Sequence, residues 1–219
     1  MVGDNALALE LRKDVRETDR PVWLVAEPDL LPRAAREAPD DAVLAVTALS
    51  PGGERLGRRH GLSRPVATFG SVPPFREASL TDVGLPPRLV GGEREAWRES
   101  LEEALGPVRE VREAPGLVVA RILSTLANEA AFLLGEGGAR AEDIDLAMTL
   151  GVNYPRGPLM WADLVGLDLV EGCLVALAEV YGPEVYRPAP ELSRRVAAGE
   201  TGALRGCGFF MHPRREEWR

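Results

Sequence analysis

The hydrophobic period of this chain changes near Pro115, and that change limits the folds open to it more than any other feature. Up to about residue 114 the apolar residues come in short unbroken runs: PVWLVA (Pro21 to Ala26), AVLAVTAL (Ala42 to Leu49), PVATF (Pro65 to Phe69) and PRLVGG (Pro87 to Gly92). Each run has strand length and is bounded by Pro, Gly or Asp. That suits strands buried on both faces of a parallel sheet. LLPRAAREAP reads as a crossover helix between the first two runs, Glu93 to Leu105 as a second helix, and Val108 to Glu113 as a short strand. Strands alternating with helices predict a small α/β layer.

Past Pro115 the period becomes helical. Val119, Ile122, Leu123, Leu126, Ala130 and Leu133 form one apolar stripe, and Gly135, Gly137 and Gly138 stop the helix. Further helices are expected around Ile144 to Leu150, from Pro158 to Val165, along Val170, Cys173, Leu174, Leu177 and Tyr181, and over Glu191 to Ala198. The expected organisation is therefore α/β plus all-α. A reduced sheet domain spans residues 1–114, a helical domain 115–211 and a tail 212–219.

Composition narrows the function classes. The net charge of -8, with acids and arginines interspersed along 219 residues, gives no basic face for nucleic acid. No apolar run reaches membrane-spanning length, and the opening MVGDNALALELRKD has no signal-peptide pattern, so the chain reads as cytoplasmic. Cys173 and Cys207 belong to no CxxC, and His60 and His212 are too scattered to complete a metal site. Both cysteines read as free thiols.

The segment GVNYPRGPLMWADLVG (Gly151 to Gly166) reads as a helix junction. Pro158 suits a first helical turn, where its missing amide hydrogen leaves nothing unpaired. Gly151 and Gly157 allow backbone angles that other residues resist, and Asp163 is placed to satisfy orphan amides of a neighbouring helix.

These residues carry a family resemblance. Pro115-Gly116 entering a long helix, Asn128-Glu129-Ala130 within it, and Asp143-Ile144-Asp145 opening the next come in the order found in the C-terminal helical domain of 3-hydroxyacyl-CoA dehydrogenases. The signature Gly151, Asn153, Tyr154, Pro155, Gly157, Pro158, Asp163, Gly166 and the closing GETGALRGCGFF follow. Residues 1–114 resemble the later part of that family's Rossmann domain with its nucleotide-binding start missing. Some long bacterial members associated with phenylacetate breakdown carry such a reduced segment before a second C-terminal half.

The resemblance implies a dehydrogenase ancestry and also its departures. No G-x-G-x-x-G is present, and PGGERLG (Pro51 to Gly57) has the wrong spacing with no helical pattern after it, so a nicotinamide cofactor is not expected to bind. The family's catalytic histidine falls at Thr68, its following asparagine at Ser71, its acidic partner at Asp82 or at no residue, and its helix-opening Asn-Arg at Ala120-Arg121. A threonine hydroxyl cannot serve as a general base near neutral pH. His60 would need an unusual loop path to replace it. Arg55, Arg58, Arg59 and Arg64 in ERLGRRHGLSR are either CoA phosphate contacts or a solvated loop. No catalytic residue is expected. The resemblance implies a non-catalytic half that dimerises through its helical domain or partners a catalytic half, and supports an acyl-CoA site. A stand-alone acyl-CoA-binding or regulatory protein, and an active NAD-dependent enzyme, are the other readings.

Overall fold

The computed structural model describes residue 18, residues 20–70 and residues 79–213. Ser71, the opening residues 1–17 and residues 214–219 of the tail lie outside that range. The chain divides into two compact units at Ala120/Arg121.

The first unit is built on five strands: β1 (Val22–Val25), β2 (Val43–Thr47), β3 (Ala67–Gly70), β4 (Thr81–Gly84) and β5 (Val108–Val111). They lie side by side in chain order. β1, β2 and β3 are mutually parallel, β3 and β4 are antiparallel, and β4 and β5 are parallel again. Helices α1 (Leu31–Glu37) and α2 (Gly53–Arg59) follow β1 and β2, and α3 (Gly91–Leu105) precedes β5.

The period of two sorts the strand residues between two cores. Leu24, Val43, Ala45, Ala67, Phe69 and Val83 pack with Trp97 and Leu101 of α3. Val25, Leu44, Val46 and Val66 pack with Leu31 and Ala34 of α1 and with Leu56 of α2. Both faces are covered, so the strands read as unbroken apolar runs.

Three expectations need correction. PRLVGG is not a strand: Leu89 N–H closes a turn on Pro86 O, and Gly91 begins α3. The strand is Thr81–Gly84, and its antiparallel course breaks the all-parallel sheet. The segment after Pro51-Gly52 is α2, so Arg55, Arg58 and Arg59 stand on a helix and not in a loop.

The second unit takes up α4 (Val119–Gly135) from Arg121 and adds α5 (Ala141–Gly151), α6 (Pro158–Val165), α7 (Leu167–Tyr181), α8 (Pro183–Tyr186) and α9 (Pro190–Ala197). The stripe expected to bury α4 is buried only in part: Ala130 is buried and Leu123 and Leu126 are half-buried, but Val119, Ile122 and Leu133 are exposed. Ala120, Ser124, Ala127, Asn128 and Ala131 form the buried face, at the same helical spacing. Small side chains allow a close approach, and Asn128 fixes it. Its Nδ2 donates to Arg187 O at 2.9 Å, and its Oδ1 accepts the buried Ala189 N–H at 2.8 Å. Among the described residues no helix is long and apolar enough to cross a membrane.

Candidate functional site

In the antiparallel pair β3/β4, Thr68 lies opposite Gly84, and Gly70 opposite Asp82. Directly opposed residues point to the same face. With Phe69 and Val83 turned into the α3 core, Thr68, Gly70, Asp82 and Gly84 share the other face, toward the start of α2. Three of the sequence-selected positions thus come together: Thr68, Asp82 and the turn before Ala120.

Thr68 is fully buried and its hydroxyl is spent inside the chain. Oγ1 accepts the Gly53 N–H at 2.8 Å and donates to Glu113 Oε1 at 3.1 Å. The same Glu113 oxygen accepts the Glu54 N–H at 2.8 Å. A carboxylate of the chain therefore sits at the first amides of α2, where the helix dipole favours negative charge. Burial raises the Glu113 pKa above the usual carboxylate range, opposed by the Glu54 amide and the Thr68 hydroxyl. The charge of Glu54 adds to the rise, and Arg58 counters it.

Asp82 holds the start of α4. Its Oδ2 accepts the amides of Val118 at 2.7 Å and Val119 at 3.2 Å, while its buried Oδ1 has no hydrogen-bond partner among the described residues. Gly70 makes room for that oxygen, since a Cβ there would lie 1.9 Å from Oδ1. Burial raises the Asp82 pKa, and the two amides only partly offset it. Ala120 is buried and offers a methyl group.

Of the remaining candidates, Arg58 acts on this cluster through its charge on Glu113, while His60 and Arg64 are engaged elsewhere. His60 caps the C-terminal end of α2, its N–H bonded to Leu56 O at 3.0 Å. That is the far end of a seven-residue helix from Thr68, about 10 Å away at 1.5 Å per residue. Arg64 spends its guanidinium on four carbonyls, those of Ala35, Ala38, Pro39 and Ala42. Arg58 lies 3.7 Å from Glu54.

In the second unit, the Gly151–Gly166 segment is a set of carboxylates fitted against glycines. Asp145 of α5 accepts the Leu159 and Met160 amides at 2.9 and 2.8 Å, capping α6, whose first residue is Pro158 as expected. Gly157 is needed for space and not for an unusual angle: its φ is -72°, but a Cβ would fall 2.1 Å from Asp145 Cγ. Gly151, with nothing near its missing Cβ and a place inside α5, shows no such need.

Asp163 serves the closing loop and not a helix. Oδ1 accepts Phe209 N–H at 2.8 Å, and Oδ2 accepts Phe210 N–H at 2.9 Å and pairs with His212 Nε2 at 2.7 Å. His212, the first residue of the expected tail, is thereby an anchor with a buried side chain. Asn153 takes a left-handed conformation at φ 58°, Tyr154 is partly exposed, and Pro155 and Glu129 lie at the surface. Cys173 and Cys207 are free thiols, as expected.

Comparison with known proteins agrees with this architecture. The family described as 3-hydroxyacyl-CoA dehydrogenase, C-terminal domain, matches residues 116–212. A 3-hydroxybutyryl-CoA dehydrogenase of Bradyrhizobium diazoefficiens is 30% identical over 211 residues, covering 95% of this chain and 69% of that protein. A probable 3-hydroxybutyryl-CoA dehydrogenase of Bacillus subtilis is 41% identical over 112 residues, spanning 51% of this chain and only 39% of the relative. The crystal structure of (S)-3-hydroxybutyryl-CoA dehydrogenase from Ralstonia eutropha superposes with a TM-score of 0.70 at 27% identity, covering 88% of this chain and 71% of that one. By its sequence over nearly its whole length, and by its fold, the chain belongs to the 3-hydroxyacyl-CoA dehydrogenase family.

Proposed function

We propose that this chain is a non-catalytic member of the family, a dimerisation or acyl-CoA-supporting component of a 3-hydroxyacyl-CoA dehydrogenase system. The observation that carries this reading is the Thr68–Glu113 pair. At the position the resemblance gives to the catalytic base stands a hydroxyl that already accepts from Gly53 and donates to Glu113. A hydroxyl so engaged, and so weakly basic, does not take a proton from an alcohol at neutral pH.

The same geometry argues against a bound nicotinamide dinucleotide. The turn after β1 runs Ala26-Glu27-Pro28, with an acid and a residue lacking an amide hydrogen where a pyrophosphate would need donors. The turn after β2 has its leading amides taken by Thr68 and Glu113, and the carboxylate would repel a phosphate.

The assembly partner in this reading is a second copy of the chain. Ile122, Leu133, Leu146, Leu150 and Val152 of the helical unit are exposed, Leu150 at 78%. Large apolar side chains in such number favour a buried interface. Adding purified chain to 3-hydroxybutyryl-CoA and NAD, and following nicotinamide absorbance, is expected to give no turnover. Calorimetry with butyryl-CoA and sedimentation should show a complex and a dimer. Sustained turnover that survives Thr68→Ala refutes the proposal. A monomer that binds no acyl-CoA removes both supporting roles.

A further inference from the structure

Arg121 is set in a way that the non-catalytic reading leaves unused. It stands in the first turn of α4, and its guanidinium carbon lies 4.5 Å from the ring centroid of Tyr181 at the end of α7 and 5.2 Å from that of Tyr186 at the end of α8. Nη2 donates to the Tyr186 hydroxyl. The two ring centroids are themselves 5.9 Å apart. These three distances make a triangle that sets the two rings next to each other about the guanidinium, and among the described residues no third ring stacks on it.

The charge of Arg121 is also unanswered. Among the described residues no carboxylate lies within ion-pairing distance of it, although Arg33, Arg94, Arg98, Arg140, Arg194 and Arg195 each have one. In a chain of net charge -8 acids are plentiful, so the lack of one here is not a matter of supply. The field of this cation reaches the buried Cys173 thiol, whose pKa burial pushes up to about 11 while Ser124 and Arg121 pull it down.

We propose that Arg121 is the centre of an oxyanion-binding site, which takes a carboxylate or phosphate group of a small organic molecule. A guanidinium has five N–H donors in a planar fork, and only one of them is bonded to Tyr186. Stacking on two rings holds the fork in place before any ligand arrives, which lowers the entropy lost on binding. Tyr181, 44% exposed, adds an aromatic surface for the part of the ligand that carries the anion. The site lies wholly within the helical unit and stands or falls apart from the reading of Thr68 and Glu113.

The test is calorimetric titration of the full chain in chloride-poor buffer of low ionic strength with three probes: inorganic phosphate, succinate and coenzyme A. Wild type binds at least one of them. Arg121→Gln weakens that binding by about tenfold or more, the loss of one charge-assisted contact. Arg121→Lys, which keeps the charge and loses the fork, weakens it several-fold with the melting temperature preserved. Binding of phosphate and coenzyme A without succinate names a phosphate as the ligand group, and succinate alone names a carboxylate. The proposal is overturned if wild type binds none of the probes, or if Arg121→Lys and a folded Arg121→Gln bind them as well as wild type. In either case Arg121 is only a tether between helices.

Discussion

Asp163 and Gly208 form the sharpest pair on which to test how this helical unit is held together. Replacing Asp163 by Ala removes the acceptor of two backbone amides, Phe209 at 2.8 Å and Phe210 at 2.9 Å, and of the His212 ring. A buried donor left unpaired costs about 1–3 kcal/mol, so Asp163→Ala is expected to cost about 3–5 kcal/mol. Gly208→Ala acts on the same carboxylate from the other side. Its Cβ would lie 2.1 Å from Asp163 Oδ1, and the carboxylate has to leave its amides to make room. About 2–4 kcal/mol is expected for that substitution alone. In the double variant the clash has gone, and Gly208→Ala should add less than about 1 kcal/mol. The coupling is thus about 1 kcal/mol or more, outside the additivity of independent sites. Urea denaturation followed by circular dichroism, on both single variants and the double, measures it. Strict additivity would refute the claim that Gly208 is there for the carboxylate.

Three further substitutions probe other parts of the same logic. Gly157→Ala, with its Cβ 2.1 Å from Asp145 Cγ, should unseat the cap of α6 and lower stability by about 2–4 kcal/mol in the same denaturation assay. Asn128→Ala strands the buried Ala189 amide and frees the segment before α9; a loss of about 2–4 kcal/mol, with faster hydrogen exchange at Ala189, is expected. Arg64→Ala leaves four carbonyls without their shared donor, but these face partly toward water, so about 1–2 kcal/mol is expected. Because Arg64 is committed to the backbone, that variant should bind butyryl-CoA as wild type does.

Much of this fold is legible in the sequence wherever large apolar side chains carry the period. Val43–Thr47 and Ala67–Gly70 are runs of buried residues, Val22–Val25 is an apolar run buried at its second half, and Pro158 marks the first turn of α6. The reading fails where small or polar residues decide. Thr81–Gly84 is a strand made of Thr, Asp, Val and Gly, a composition that pairing with β3 imposes and that propensity would not select. Gly52, Gly53 and Gly57 hide α2, whose single large apolar residue, Leu56, gives no visible stripe. On α4 the stripe of bulky residues is only partly buried, and the fully buried face is made of small and polar residues that a count of large apolar side chains passes over. Thr68 and Asp82 were found through the resemblance. Glu113 was not, because its partner Glu54 lies 59 residues away and nothing local marks the contact.

Asp82 differs from the other two buried aspartates in a way that energetics can expose. Asp145 and Asp163 each use both carboxylate oxygens, whereas Asp82 uses one and buries the other with no donor among the described residues. An isolated charge in that position is penalised by desolvation, which is why its pKa is raised. A raised folded-state value means that the folded chain binds this proton more tightly than the unfolded chain does. The stability it contributes is therefore full at acid pH and is lost as pH rises through the folded-state value, in the window just above the ordinary carboxylate range. Asp82→Asn keeps an oxygen for the Val118 and Val119 amides and removes the charge. The variant should match wild type below that window and exceed it in stability at neutral pH, so that its pH profile is flatter. Melting temperatures of both proteins across that window decide the matter. A variant less stable than wild type at neutral pH would mean that the charge on Asp82 holds α4 more strongly than its burial costs, and that the orphan oxygen is satisfied after all.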